Sequence, residues 1–333
     1  MDLIARKGRE IGAVAASIAD CRNILLMAHV NPDGDALGAL LALGQGLLSI
    51  GKKVTMFCDG DISEMYSFLP GVTNLAADPG QPEDYDLVVL LDCNQLERAG
   101  ARAVAMSRVK TMVVIDHHVV EGSLPELSVI DTAAAAAGEL VWYLLQAMKI
   151  EITPEMATNI FVAISTDTGS FAFANTTAET LAVAAATVQS GASPWEISVK
   201  LFLQRSPGRL HLLGLALSNL EFYYGGRLGA ITVTLEMMSV TGTTSGDTDG
   251  FVEYPRSVKG IELAVFFREN GPLSHKVSLR SKGRFNAEAF ARGFGGGGHF
   301  QAAGFTITGP LDAAKKLVIS RAEALMPPLA GSE

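Results

Sequence analysis

Residues 23–35 read NILLMAHVNPDGD. The run from Ile24 to Ala28 is apolar without alternation. A strand with one wet face would alternate, so this pattern predicts a strand buried on both faces, as in a parallel sheet. The run then breaks into a loop carrying His29, Asn31, Asp33 and Asp35. Two later segments have the same form: LVVLLD at 87–92 and MVVIDHH at 112–118. Helical patterns over 36–50, 138–149, 154–166 and 177–190 follow or separate these runs, with Thr153 and Asn175–Thr177 as capping candidates. The Ala133–Ala137 run reads as a helix start and packing surface. This βα alternation predicts an α/β fold with a parallel sheet over roughly 1–190, whose strands deliver polar residues from their carboxyl ends.

The texture changes beyond that point. A helical stretch over 191–220 carries Pro194, Pro207 and Gly208 and reads as a connector. Strand-like segments follow at 227–235, 261–268 and 275–281, with a Gly/Thr/Ser-rich loop at 241–250. The run GFGGGGH covers 293–299, and a last helix is predicted over 311–325. A second, smaller α+β domain over 221–330 accounts for these elements.

Composition narrows the function classes. The chain has 333 residues, 48% of them apolar, which excludes disorder as its main state and leaves room for two cores. Lys and Arg total 26 against 35 Asp and Glu, a net charge of −9. That balance argues against bulk binding of long duplex nucleic acid. It leaves room for a small anion held by local positive charge or by metal ions. No apolar stretch is long enough for a membrane span, and Asp20, Cys21 and Arg22 interrupt any signal-peptide layout at the start. Three cysteines (Cys21, Cys58, Cys93) make no disulfide framework, so a cytoplasmic setting is expected.

The strand-end residues carry the chemistry. Asp33 and Asp35 stand two apart, with Gly34 allowing a tight turn that could aim them at different ions; the plain alternative is a solvated turn in which Asp35 caps a helix. Asp92 ends the second run, and Arg98 six residues on could be a surface charge or a phosphate contact. Asp116-His117-His118 ends the third, a grouping hard to explain as packing. Asp167 closes a helical pattern, where the helix dipole disfavours a carboxylate. Four carboxylates gathered in one place would repel strongly, and two divalent cations would neutralise them. Oxygen and imidazole donors without a thiolate motif favour Mn²⁺ or Mg²⁺ over a structural zinc. In the second domain the glycines Gly295–Gly298 suggest an anion nest, with His299 as a further donor; the alternative is a turn that needs positive φ. Arg280 ends a strand pattern, and its guanidinium suits bidentate phosphate contacts. His211 and His275 read as surface or packing residues.

The set HVNPDGDALG, LLDC, DHH and STDTGSF resembles the four motifs of the DHH phosphoesterase superfamily. FGGGGHFQAAGF resembles the glycine-rich signature of its DHH-associated domain. The resemblance runs from about residue 10 to 325, and its length is most similar to the branch of oligoribonucleases (nanoRNases) that also remove the 3′-phosphate of 3′-phosphoadenosine 5′-phosphate (PAP). It implies an active site in the cleft between the domains and two divalent ions, Mn²⁺ foremost, with Mg²⁺ or Co²⁺ as alternatives. His29, Asp33 and Asp92 would hold one ion. Asp35, Asp92, His117 and Asp167 would hold the other, with Asp92 bridging. His118 would act as general acid or phosphate ligand, and Asp116 would orient a histidine. Arg98, Arg280, Gly296, Gly297, Gly298 and His299 would contact substrate. The implied partners are short single-stranded RNA or DNA oligonucleotides and nucleotide bisphosphates, with no long duplex and no membrane, and a homodimer is among the expected assemblies. One departure is Ala172, where many relatives carry a basic residue. The competing readings are a cyclic-dinucleotide phosphodiesterase, an inorganic pyrophosphatase, and a non-catalytic nucleotide-binding protein.

Overall fold

The structure is a computed structural model that describes residues 3–120 and 122–326. The chain divides between Gln204 and Arg205 into two compact units. The stretch 191–220, predicted as a connector, is therefore not a separate element. Pro194 and Pro207 each sit in the first turn of a helix, where a missing N–H costs nothing. One helix belongs to each unit.

The first unit runs α1 (Leu3–Asp20), β1 (Asn23–Met27), α2 (Gly34–Ser49), β2 (Lys53–Phe57), β3 (Leu87–Leu91), α3 (Ala101–Val104), β4 (Met112–Asp116), β5 (Leu127–Ile130), α4 (Ala137–Ala147), α5 (Pro154–Asp167), α6 (Ala178–Gln189) and α7 (Pro194–Phe202). Its five strands are parallel in the order β2-β1-β3-β4-β5. Ile24 and Leu26 enter the core built with α1, α2, α4 and α5, while Leu25 and Met27 enter the core on the opposite face with α3. Both faces are covered, which is why β1 shows no alternation. Strands β2 and β5, not singled out in the sequence, are the edges of the sheet.

The strand order reverses between β1 and β3, and the crevice outside the carboxyl ends of such strands is where this architecture binds ligands. Helices α2, α4 and α5 bring their ends to that crevice by packing closely. A Cβ on Gly38 of α2 would lie 2.3 Å from the Asn159 carbonyl of α5, and one on Gly138 of α4 would lie 2.4 Å from Ala163 Cβ.

The second unit runs α8 (Pro207–Ser218), β6 (Glu221–Tyr223), β7 (Leu228–Val233), α9 (Leu235–Thr241), α10 (Glu253–Ser257), β8 (Leu263–Gly271), β9 (Ser274–Ser281), α11 (Ala287–Arg292), β10 (Gly297–His299), β11 (Ala302–Thr308) and α12 (Leu311–Leu325). Its six-stranded sheet has the order β10-β11-β9-β8-β7-β6, mixed because β7 and β8 run parallel. No helix among the described residues is long and apolar enough to cross a membrane.

Candidate metal centre

The strand-end His and Asp residues singled out in the first unit converge on one crevice. After β1, His29 turns its Nε2 to within 3.5 Å of Asp92 Oδ2 and 3.9 Å of Asp33 Oδ1. Asp33 is the N-cap of α2, accepting the amides of Asp35 and Ala36. The cap is thus Asp33 and not Asp35. Gly34 does not serve a positive-φ turn: a Cβ there would lie 2.5 Å from Thr166 Oγ1, so it permits close approach of α2 to α5. Asp35 is 1% exposed, accepts the amides of Ala137 and Gly138 at the start of α4, and lies 3.5 Å from His117 Nε2.

His117 Nε2 is the hub of a second group, 3.4 Å from Asp92 Oδ1 and 3.5 Å from Asp167 Oδ2. Its Nδ1 faces the Ala134 carbonyl at 3.3 Å, which favours a proton on Nδ1, so that in the neutral ring Nε2 is the lone-pair donor. His118 turns its Nδ1 to Asp116 Oδ1 at 2.7 Å, and fully buried Asp116 receives Asn94 Nδ2 on its other oxygen at 2.8 Å. Asp92 and Asn31 hold left-handed φ of 56° and 52°, a conformation that Asp and Asn reach more readily than most side chains.

Three overlapping groups result: His29, Asp33 and Asp92; Asp35, His117 and Asp167; Asp92, His117 and His118. Within each, the candidate donor atoms lie within 4.8 Å of one another. The electrostatics are those of a site built for cations. Burial alone would push His117 down, but Asp92, Asp35 and Asp167 outweigh it and push the imidazole up to about 10. His29 is raised in the same way, against its own burial, by Asp92 and Asp33. Burial and the neighbouring Asp92 charge raise Asp35 well above the carboxylate range. Asp167 is raised to about 6 by burial, with His117 pulling the other way and Asp92 adding to the rise. Asp92 itself is held low by His117 and His29 despite its burial. Its Oδ1 is nonetheless buried with no hydrogen-bond partner. An orphaned carboxylate oxygen beside two imidazoles and two proton-loving carboxylates fits the donor set of a divalent cation, with oxygen and nitrogen ligands and no sulfur.

Arg98 is exposed; its carbonyl, not its guanidinium, accepts from the Val30 amide and anchors the loop after β1. In the second unit, Arg280 of β9 donates its Nε to Glu253 Oε1 at 3.0 Å. The glycine run differs from a nest. The amides of Gly295 and Gly296 donate to Arg292 and Ala291, so Gly296 has no free N–H for an anion. Gly297–His299 form edge strand β10 against β11. A Cβ at Gly296 would lie 2.2 Å from the Gly304 carbonyl and one at Gly298 2.4 Å from that of Ala302, so these glycines allow two backbones to touch. The side chain of His299 lies outside the described residues. Of the two blandly read histidines, His275 is fully buried and bonded through Nε2 to Gly309, and His211 is exposed on α8.

The residues missed in the sequence hold ligands through backbone. Ala134, Ala137 and Gly138 work through carbonyl and amide groups, which leave no trace in side-chain pattern. Asn94 was visible only as a neighbour of Asp92.

A doubly covered parallel sheet with carboxylates and imidazoles converging at its switch point defines a class: doubly wound α/β proteins with a candidate cation site at the strand ends. Residues 23–164 match the model of the DHH family, N-terminal domain, and residues 231–325 match that of the DHHA1 domain. The bifunctional oligoribonuclease and PAP phosphatase NrnA of Thermus thermophilus is 36% identical over 299 residues, covering 89% of this chain and 88% of that protein. Its Bacillus subtilis namesake is 29% identical, covering 85% and 89%. Among solved structures, an exopolyphosphatase-related protein from Bacteroides fragilis superposes with a TM-score of 0.89 at 27% identity, covering 95% of this chain and 96% of that one. The chain belongs to the DHH family of phosphoesterases, with a DHHA1 domain as its second unit.

Proposed function

We propose that the protein is a metal-dependent hydrolase that cleaves short oligonucleotides, down to linear dinucleotides, and removes the 3′-phosphate of PAP. The observation that carries this reading is the sharing of Asp92 between the His29 and His117 groups. The Thermus and Bacillus relatives, alike over nearly the whole chain, are named for both activities. His29, Asp33 and Asp92 hold one ion; Asp35, Asp92, His117 and Asp167 hold the other. Mn²⁺ suits these donors best, with Mg²⁺ or Co²⁺ as substitutes. Two such ions would supply a water activated at neutral pH and positive charge to stabilise a phosphoryl centre.

The chain's own groups do the rest. Asp116 accepts from His118 Nδ1 and so aims Nε2, which in the imidazolium form gives its proton to the leaving oxygen and leaves the ring neutral with its proton on Nδ1. Arg280 is the contact proposed in the second unit for a substrate phosphate other than the scissile one. Arg98 is the less supported phosphate contact. A net charge of −9 disfavours long duplexes and suits a small substrate whose charge the ions offset. The test is a panel of a two-nucleotide RNA, PAP, pyrophosphate and cyclic di-AMP, each with Mn²⁺ and with EDTA. Mn²⁺-dependent turnover of the first two is expected. Turnover of pyrophosphate or cyclic di-AMP in preference would replace the reading, and equal turnover in EDTA would remove its metal dependence.

A further inference from the structure

We propose that Asn175, in the loop between α5 and α6, is a positioning residue for the metal group formed by Asp35, His117 and Asp167. The inference rests on the metal reading above.

The three ligands come from three places in the chain, and two are held by one short backbone segment. Ala134 offers its carbonyl to His117 Nδ1, while Ala137 and Gly138 give their amides to the two oxygens of Asp35 at 2.6 and 2.9 Å. The third ligand, Asp167, is the last residue of α5. Nothing in the covalent chain ties residues 134–138 to the end of α5. Asn175 does: its Nδ2 donates to the Ala135 carbonyl at 3.2 Å and to the Asp167 carbonyl at 3.1 Å. One amide thus spans the segment that aims Asp35 and His117 and the residue that supplies Asp167. On the other side of the same segment, buried Glu139 accepts the Ala135 amide at 3.2 Å and the Thr180 hydroxyl at 3.1 Å, so Ala135 is gripped at both its N–H and its C=O.

The orientation of the Asn175 amide follows from chemistry. Both partners are carbonyls and can only accept, so the NH₂ must face them. That choice leaves Oδ1 buried with no hydrogen-bond partner. Both donors of the amide are thus committed to the two ligand-bearing segments. Such a bridge positions ligands, because cation affinity depends on ligands already standing at the right separation.

The test is Mn²⁺ binding to the full-length, EDTA-stripped protein, read by calorimetric titration and by electron paramagnetic resonance. The wild type is expected to bind two ions and to show the signal of a spin-coupled pair. Asn175→Ala should keep the ion at His29, Asp33 and Asp92 and weaken the other about 10–100-fold, the range for loss of a group that orients a ligand. Its spectrum at limiting Mn²⁺ should be that of an isolated ion. Asn175→Asp, with the same shape but an acceptor facing two acceptors, should do the same and carries the test if Asn175→Ala does not fold. Two ions bound with unchanged affinities in either folded variant would overturn the proposal, as would equal weakening of both ions or loss of the fold in both variants. A wild type that binds no Mn²⁺ would overturn the metal reading itself, a result distinguishable from failure of Asn175 alone.

Discussion

Asp92 stands between two histidines: its Oδ2 lies 3.5 Å from His29 Nε2 and its Oδ1 lies 3.4 Å from His117 Nε2. No other carboxylate among the described residues belongs to two of the candidate cation groups. Asp92→Asn is therefore the sharpest test of a shared centre. Asn tolerates the left-handed backbone that Asp92 adopts, so the substitution removes charge without adding strain. Turnover should fall by about 10³-fold or more, as for loss of a group acting on both ions, while the circular dichroism spectrum stays that of wild type. Activity within a few fold of wild type would remove Asp92 from the bridge.

The metal-free protein should lose stability as pH rises. His117 is pushed from an ordinary 6.5 up to about 10 by the carboxylates around it. A raised histidine contributes stability that is fully present below 6.5 and lost as pH climbs through about 10. The melting temperature of EDTA-treated protein should fall across that window, and the fall should shrink in His117→Asn. Mn²⁺ affinity should change in the opposite sense, because the cation needs His117 neutral and Asp167, raised to about 6, ionised. Titrations in two buffers of different ionisation enthalpy should show net proton release at pH 7. Net uptake, or none, would contradict the proposed ligand set.

Asp116→Asn should separate orientation from ligation. Asp116 is fully buried and holds both the Nδ1 and the backbone N–H of His118. An Asn can keep the contact from Asn94 only by presenting its oxygen there, which turns its NH₂ toward His118 Nδ1. His118 would then lose its tautomer. The expected result is a fall in kcat of about 10²–10⁴-fold, the range for general acid–base catalysis, with two Mn²⁺ ions still bound. Loss of an ion together with kcat would assign Asp116 to ligation.

Much of this candidate site was legible in the sequence because its donor side chains sit at the carboxyl ends of uninterrupted apolar runs. His29, Asp92 and His117 follow strands that are buried on both faces. Asp167 was visible through its conflict with the end of α5. What stayed hidden acts through backbone. The Ala133–Ala137 run read as packing, yet its carbonyls and amides aim two ligands. The glycine run read as a nest, yet its first amides close α11 and its later residues pair as an edge strand. Composition is the same for a loop that binds an anion and for one that lets two strands touch, and only the hydrogen bonds tell them apart.

Gly138→Ala tests how closely helix packing sets the site. The added methyl would lie 2.4 Å from Ala163 Cβ and 3.5 Å from Asp35 Oδ1. Neither neighbour is a flexible chain end, so α4 must move away from α5 and take its amides from Asp35. Overpacking of this kind costs about 1–3 kcal/mol. The melting temperature should drop, and Mn²⁺ should restore less of it than in wild type. An unchanged melting temperature would show that α4 is free to yield.

The role given to Arg280 predicts a difference between substrates. Its Nε is paired with Glu253, which also receives Arg256, so the guanidinium is pre-aimed by an anion that a substrate phosphate can rival. A charge-assisted hydrogen bond to phosphate is worth about 1.5–3 kcal/mol, which corresponds to roughly tenfold to a hundredfold in kcat/KM. Arg280→Ala should lose that much on a two-nucleotide RNA. On bis-p-nitrophenyl phosphate, which needs the ions but has no second phosphate to grip, it should lose little. Glu253→Gln should fall between, since Arg280 remains but its aim is loosened. Equal losses on both substrates would place Arg280 in the chemical step or in the fold, and the melting temperature would separate those two. No loss on either would mean that the DHHA1 unit grips the substrate through other residues, and the assignment of Arg280 would be withdrawn.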